Sequence, residues 1–193
     1  MKKIFFILTS ALIFQTGLRA EWGQTQIGVS LGYSMPAGGR WAGQYGNSPA
    51  FSLNAEKAKD EERAFGLELG YEAGHEHETI TNCAPRVLYL TPYYKETKDL
   101  GWATLYATLG VGLYHRWTPA YTDNFNGARY STSWSGKLGG NFALGAVFDL
   151  GADYTLNAGA KLHYIRNFIG TGDTELTNAA NIAPMITLQK FFY

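Results

Sequence analysis

The chain has 193 residues with 16 basic and 16 acidic side chains, 23 glycines, 13 tyrosines, 11 phenylalanines, 5 tryptophans and a single cysteine. This length suits one domain, and the balanced charge gives no basic face of the kind a nucleic-acid partner requires. One cysteine excludes an intrachain disulfide, and so much glycine and aromatic with only 17% charged residues is unusual for a water-soluble domain.

Lys2 and Lys3 precede an apolar run from Ile4 to Phe14, and the stretch closes with Leu18, Arg19 and Ala20. This is the layout of a secretory signal peptide cut before Glu21, and the run is shorter than the about 20 apolar residues a helix needs to span a bilayer. The expected organisation is a cleaved signal over residues 1–20 and one domain over 21–193. Taking three bases and no acid from 16 and 16 leaves 13 against 16, a net charge of −3. No later run is long enough for a helical span, so a membrane crossing would have to be made by strands closed into a barrel.

Strand-like alternation begins with Ile27, Val29, Leu31 and Tyr33 set against Gln26, Gly28, Ser30 and Gly32. Successive side chains of a strand point to opposite faces, so this segment has one apolar and one small or polar face. The same grammar sets Phe51, Leu53 and Ala55 against Ser52, Asn54 and Glu56. A third strand sets Phe65, Leu67, Leu69 and Tyr71 against Gly66, Glu68, Gly70 and Glu72. The fourth, near Arg86 to Lys95, is apolar on both phases: either Leu88 and Leu90 or Val87 and Tyr89 face outward, and Pro92 is awkward in any ladder.

The fifth strand is the clearest, with Ala103, Leu105, Ala107, Leu109, Val111 and Leu113 against Thr104, Tyr106, Thr108, Gly110, Gly112 and Tyr114. The sixth sets Leu138, Phe142, Leu144, Ala146 and Phe148 against Lys137, Asn141, Gly145 and Asp149. The seventh sets Tyr154, Leu156, Ala158, Leu162 and Tyr164 against Thr155, Asn157, Lys161 and His163. Charge stays on one face, as expected where the other meets lipid, since a lipid-facing Lys or Arg at mid-membrane costs about 2–4 kcal/mol. The last segment runs from Ile182 to Tyr193 with its register open: Met185, Phe191 and Tyr193 share one phase, interrupted by Thr187 and Gln189, and Ile186, Leu188 and Phe192 share the other, interrupted by Lys190.

Connections alternate in length, long at about 36–49, 75–85, 115–133 and 167–181, and short at 57–63, 95–101 and 149–153. With both ends of the domain on one side of the membrane, the long connections are the external ones. The expected fold is therefore all-β: a closed antiparallel transmembrane barrel of about eight strands in an up-and-down meander.

The signal, the strand pattern, the loop rhythm and the aromatic end together resemble the small outer-membrane β-barrels of the OmpA transmembrane-domain and OmpX kind. The resemblance covers residues 21–193 as an architecture and implies a place in the cell outer membrane of a Gram-negative envelope. It implies outer-membrane lipids and lipopolysaccharide as partners, and recognition of the C-terminal strand ending at Tyr193 by the barrel assembly machinery. No cofactor or metal is expected.

Inside such a barrel Glu68 and Glu72, with Lys137, Lys161 and His163, are expected to form a polar network that fills a narrow lumen, because lone buried charges are costly. A gated path for small solutes is the sharper alternative for the same residues. His75 and His77 alternate with Glu76 and Glu78 in a long connection, but no third ligand stands at a recognisable spacing, so a solvated loop is expected. Trp41 and Tyr45, then Trp117, Tyr121 and Phe125, with Tyr130 and Trp134 nearby, are candidate surface contacts. Membrane-interface belt positions are the plainer account of Trp102, Tyr114 and Trp134. Cys83 is expected to be an ordinary loop thiol.

An enzymatic alternative comes from the outer-membrane lipid A deacylases, which resemble this chain in carrying a late histidine, with a serine two residues on and an acid in the following loop. Here His163 is followed by Ile165, and Asp173 or Glu175 would be the acid, so the nucleophile is missing. The expected role is non-enzymatic, structural or interactive through the external loops.

Overall fold

The computed structural model describes residues 23–169 and 177–192. Eight long strands carry the fold: β1 (Thr25–Pro36), β2 (Ser48–Ala58), β3 (Arg63–Glu72), β4 (Arg86–Asp99), β5 (Thr104–Thr118), β8 (Ser133–Gly151), β9 (Tyr154–Ile169) and β10 (Thr177–Phe192). They close into one antiparallel barrel in the order β1-β10-β9-β8-β5-β4-β3-β2. Two short strands, β6 (Tyr121–Thr122) and β7 (Arg129–Tyr130), pair as a separate hairpin, and a six-residue helix α1 (Gly39–Gln44) lies between β1 and β2. The signal segment lies outside the described residues, as does Tyr193.

Every barrel strand has at least 10 residues, enough for a tilted crossing of hydrocarbon. Closure removes the sheet edges, so no barrel strand is left with a whole row of unsatisfied backbone groups facing lipid. The distribution of side chains is inverted relative to a soluble barrel. The apolar phase of every strand points out, with Leu109 64% and Val111 66% exposed, while the polar phase is buried, with Glu56 at 4% and Glu68 at 2%.

The fourth strand resolves in favour of Leu88 and Leu90, which are exposed, while Val87, Tyr89, Thr91, Tyr93 and Lys95 face the interior. Pro92 leaves its mark on the neighbouring ladder: pairing of β4 with β5 passes from Leu90↔Leu113 to Tyr93↔Gly110 and skips the two positions between. In β10 the outward phase is Ile182, Pro184, Ile186, Leu188, Lys190 and Phe192, and Phe191 turns inward. Lys190 is accommodated on that face because its ammonium lies over the rings of Tyr154 (5.5 Å) and Phe192 (5.3 Å) at the end of the barrel.

Turns obey the predicted rhythm. Residues 59–62, 100–103 and 152–153 make the short connections at one end, and 37–47, 73–85 and 119–132 link strands at the other; the long connection expected between β9 and β10 falls on residues 170–176, which lie outside the described residues. The tightest is the β8–β9 turn, where Ala152 (φ 51°) and Asp153 (φ 66°) adopt the left-handed pair of a type I′ hairpin, which matches the twist of the flanking strands.

Inside the barrel, tyrosines lie across glycines on neighbouring strands. A Cβ added to Gly70 would fall 2.0 Å from Cζ of Tyr89 on its paired strand, and one on Gly145 would meet the Tyr106 ring and the Ala158 carbonyl. The glycines of the polar phase are thus the space into which the aromatic filling fits.

Candidate functional site

The interior is filled by carboxylates that each have a basic side chain against them, lysine for two and histidine for the third. Toward the short-turn end, Glu56 on β2 accepts from Lys95 on β4 (2.8 Å), from the Tyr93 hydroxyl (2.7 Å) and from Gln189 on β10 (3.0 Å). Gln189 extends this group by donating to Asn54 and accepting from Asn157, so four strands are tied together. Midway, Glu68 on β3 is paired with Lys161 on β9 across the lumen, with the Tyr89 hydroxyl 3.5 Å away. Between these two pairs lies a cavity of about 40 Å³ lined by Glu68, Tyr93, Lys95, Tyr106 and Lys161 among others. It has room for only a few waters.

Toward the loop end, Glu72 closes the series. It accepts from Asn181 (2.9 Å) and faces His75 Nε2 at 2.8 Å, while His75 Nδ1 lies 2.9 Å from the Gly46 carbonyl. Both ring nitrogens of His75 thus face acceptors, the Glu72 carboxylate on one side and the Gly46 carbonyl on the other. Asn181 in turn accepts from Trp41 Nε1 on α1, so the helix is anchored to the barrel wall. Beneath it His163 lies against Tyr89 (ring centroids 4.8 Å) and 3.0 Å from the Tyr114 hydroxyl.

Among the residues expected in the lumen, the fold brings Glu68, Glu72, Lys161 and His163 together. Lys137 stays apart: it is half-buried opposite Tyr114 and makes no hydrogen bond or ion pair among the described residues. Glu56 and Lys95 were not anticipated as a pair. Lys95 sits on the strand whose phase was open, and the signal that finds it is parity: once Tyr89 faces inward, Lys95 must too.

Several surface expectations are overturned. Trp41 (0% exposed), Tyr45 (7%) and Tyr121 (9%) are buried, because the long connections pack on one another rather than standing free in water. With Cys83, Val87, Tyr89, Tyr114, Ile165 and Ala179 they form one apolar cluster at the barrel mouth. His75 is likewise fully buried and not part of a solvated loop. Trp117 is half-buried, and Phe125 is 81% exposed at the tip of the β6–β7 hairpin.

The loops are stitched into a cap by backbone bonds: Gly46 donates to Glu76 (2.7 Å), Glu78 to Gln44 (2.9 Å) and His77 to Cys83 (2.8 Å). Asn124 on the hairpin donates to Thr79 and Thr81, joining the third long connection to the second. Tyr121 stacks on Tyr130 at 4.8 Å. Burial pushes the Tyr45 hydroxyl and the Cys83 thiol above their ordinary values, so both are neutral at pH 7. His77 is held below its ordinary range by burial, and its Nδ1 accepts from the backbone N–H groups of Thr79 and Ile80. No group of three or more metal-ligating side chains occurs among the described residues. Ile165 is buried and opposite Ala179, and Asp173 and Glu175 lie outside the described residues.

An apolar exterior on a closed, polar-filled barrel defines the architecture of the eight-stranded outer-membrane barrels. Among solved structures the chain is similar to Neisserial surface protein A, at 13% identity over 88% of this chain and 96% of that one, with a TM-score of 0.54. It is also similar to Ail, the attachment invasion locus protein of Yersinia pestis, solved in complex with the heparin analogue sucrose octasulfate, at 13% identity over 89% and 99% with a TM-score of 0.54. The outer membrane protein OprG from Pseudomonas aeruginosa matches at 13% identity over 90% and 97%, with a TM-score of 0.54. No protein-family model matches the chain, and no curated protein matches it in sequence.

Proposed function

We propose that this chain is an outer-membrane protein whose sealed barrel anchors a folded cap of external loops for contact at the cell surface. The observation that carries it is the stack of partnered carboxylates, Glu56 with Lys95, Glu68 with Lys161 and Glu72 with His75, closed over by Trp41. A lumen filled in this way with ion pairs and tyrosines has no continuous aqueous path. The cap supplies exposed Phe125 and Tyr130 above a rigid base, the arrangement that gives contact area at low entropic cost. The names of Neisserial surface protein A and the attachment invasion locus protein agree with a surface role. The outward apolar phase of β10 ending at Phe192, with Tyr193 beyond, is the surface offered to the barrel assembly machinery, and the girdle meets outer-membrane lipids and lipopolysaccharide.

A narrow pore is the second reading, favoured by the small polar cavity between Lys95 and Lys161. Planar-bilayer conductance separates the two. The wild-type chain is expected to give no steady unit current, and Lys161→Met, which opens the waist beside Glu68, is expected to give intermittent current. Steady conductance by wild type that Lys161→Met alters would replace the sealed anchor with the pore. A lipid A-modifying activity ranks below both, because Ile165 occupies the position where the deacylases carry their nucleophile.

A further inference from the structure

The outward face carries a feature that neither the ion pairs nor the cap uses. Arg86 on β4, Trp117 on β5 and Trp134 on β8 stand in one cross-strand row, since Arg86 is the Cα partner of Trp117 and Trp117 that of Trp134. All three belong to the outward phases of their strands, continuing the sequence Leu90, Leu88, Arg86 on β4 and Leu113, His115, Trp117 on β5. The Arg86 guanidinium lies over the Trp117 ring at 4.6 Å, Trp117 stacks on Trp134 at 5.1 Å with an interplanar angle of 4°, and the His115 ring lies 5.2 Å from Trp134. The row is at the loop end of the barrel, immediately beyond the leucine girdle.

The Nε of Arg86 is buried without a hydrogen-bond partner, and Arg86 makes no ion pair among the described residues. From Pro92 to the loop end, the outward phases of β4, β5 and β8 hold no carboxylate. Arg86 is half-buried over the Trp117 ring with no carboxylate at ion-pair distance among the described residues, so it is a cation held in place whose terminal N–H groups, and not the buried Nε, are left to meet a ligand. Guanidinium is planar and presents paired N–H donors that match a phosphate in two-point fashion, which is why arginine is favoured wherever phosphate is recognised. Trp134, 62% exposed, offers a flat apolar surface beside it, and the exposed Gly136 leaves open space below Trp134. Acyl chains entering from that point would run along Leu88, Leu90, Leu113 and Leu138, all exposed.

We infer that Arg86, Trp117 and Trp134, with His115 at their edge, form a binding site for the phosphorylated headgroup of an outer-leaflet lipid. The site rests on the external orientation of the long loops assumed in the sealed-anchor function. Its occupant is a membrane lipid, because the row borders the hydrocarbon girdle and is separated from the lumen by the barrel wall. The charge complements a phosphate, and the tryptophans suit the sugar or glycerol surface that adjoins one. The pair forms because guanidinium gains from the aromatic face at the interface, where water competes less, and remains free to bind through its edge.

The test uses the full chain refolded in dodecylmaltoside micelles and titrated with bisphosphorylated lipid A or with the same lipid stripped of phosphate, bound lipid being counted by native mass spectrometry. Arg86→Met is expected to weaken binding of the phosphorylated lipid by roughly tenfold or more, the size of a lost charge-assisted contact. Binding of the dephosphorylated lipid should be unchanged, and Arg86→Lys should fall between. Arg129→Met, which removes an exposed charge from the hairpin, should bind as wild type. Equal binding by wild type and Arg86→Met, an equal loss in Arg129→Met, or an equal loss of both lipids would each overturn the site. Heat-modifiable migration on gels confirms that each variant is folded. A wild-type chain that stays soluble without detergent would instead remove the outer-membrane function itself.

Discussion

The two faces of the barrel wall are built from the same strands and obey opposite rules. Outside, contacts are generic: Leu109, Val111, Leu113 and Leu138 need only be apolar, because lipid adapts to whatever shape they present. Inside, each group is specific: Glu56 has three named donors, and the Tyr89 ring lies where Gly70 has no Cβ. A membrane barrel therefore gains its unique structure from a polar core, since the apolar face rejects a one-residue slip but does not distinguish registers two residues apart.

Three substitutions put that contrast under strain. Lys95→Met should be the most damaging, costing about 3–5 kcal/mol, because Glu56 would be left as an uncompensated buried charge. Urea unfolding from vesicles measures it, and adding Glu56→Gln should recover most of the loss. A cost below about 1 kcal/mol would mean that the interior is wet enough to screen the pair. Next comes Leu109→Arg on the outer face of β5, expected to cost about 2–4 kcal/mol near the midplane. The same charge tolerated there without loss would place that face in water and not in lipid. Smallest is Gly70→Ala, with about 1–3 kcal/mol for forcing the Tyr89 ring aside, read from the same unfolding curves. If alanine were neutral at that position, the tyrosine filling would be adaptable and the specificity of the inner face overstated.

Most of the wall is legible in the sequence, because lipid demands a strict apolar phase and β1, β3 and β5 supply it without interruption. The phase of β4 is not, for a reason the structure makes plain. A narrow lumen is filled partly by apolar bodies, so Val87, Tyr89 and Tyr93 face inward and look the same in sequence as Leu88 and Leu90, which face out. The ion pair of Glu56 and Lys95 was hidden behind that ambiguity. The loops are less legible still: Trp41, Tyr45 and Tyr121 have no periodicity to betray burial, and only the docking of one connection on another turns them into a core. In β10, Lys190 broke the outward pattern, although a lysine near the interface keeps its charge over aromatic rings at little cost.

The pairing of β1 with β10 has a further consequence. Thr25 stands opposite Phe192, and ten residue pairs join strands from the two extremes of the chain. The closing contact is thus the one of longest sequence separation, so the sheet can be completed only after everything between has taken its place, and folding should be slow and all-or-none. Topologically the molecule is a ring with one nick in it. The nick lies among the short turns, far from the cap, and could be moved to another hairpin without disturbing a single ladder.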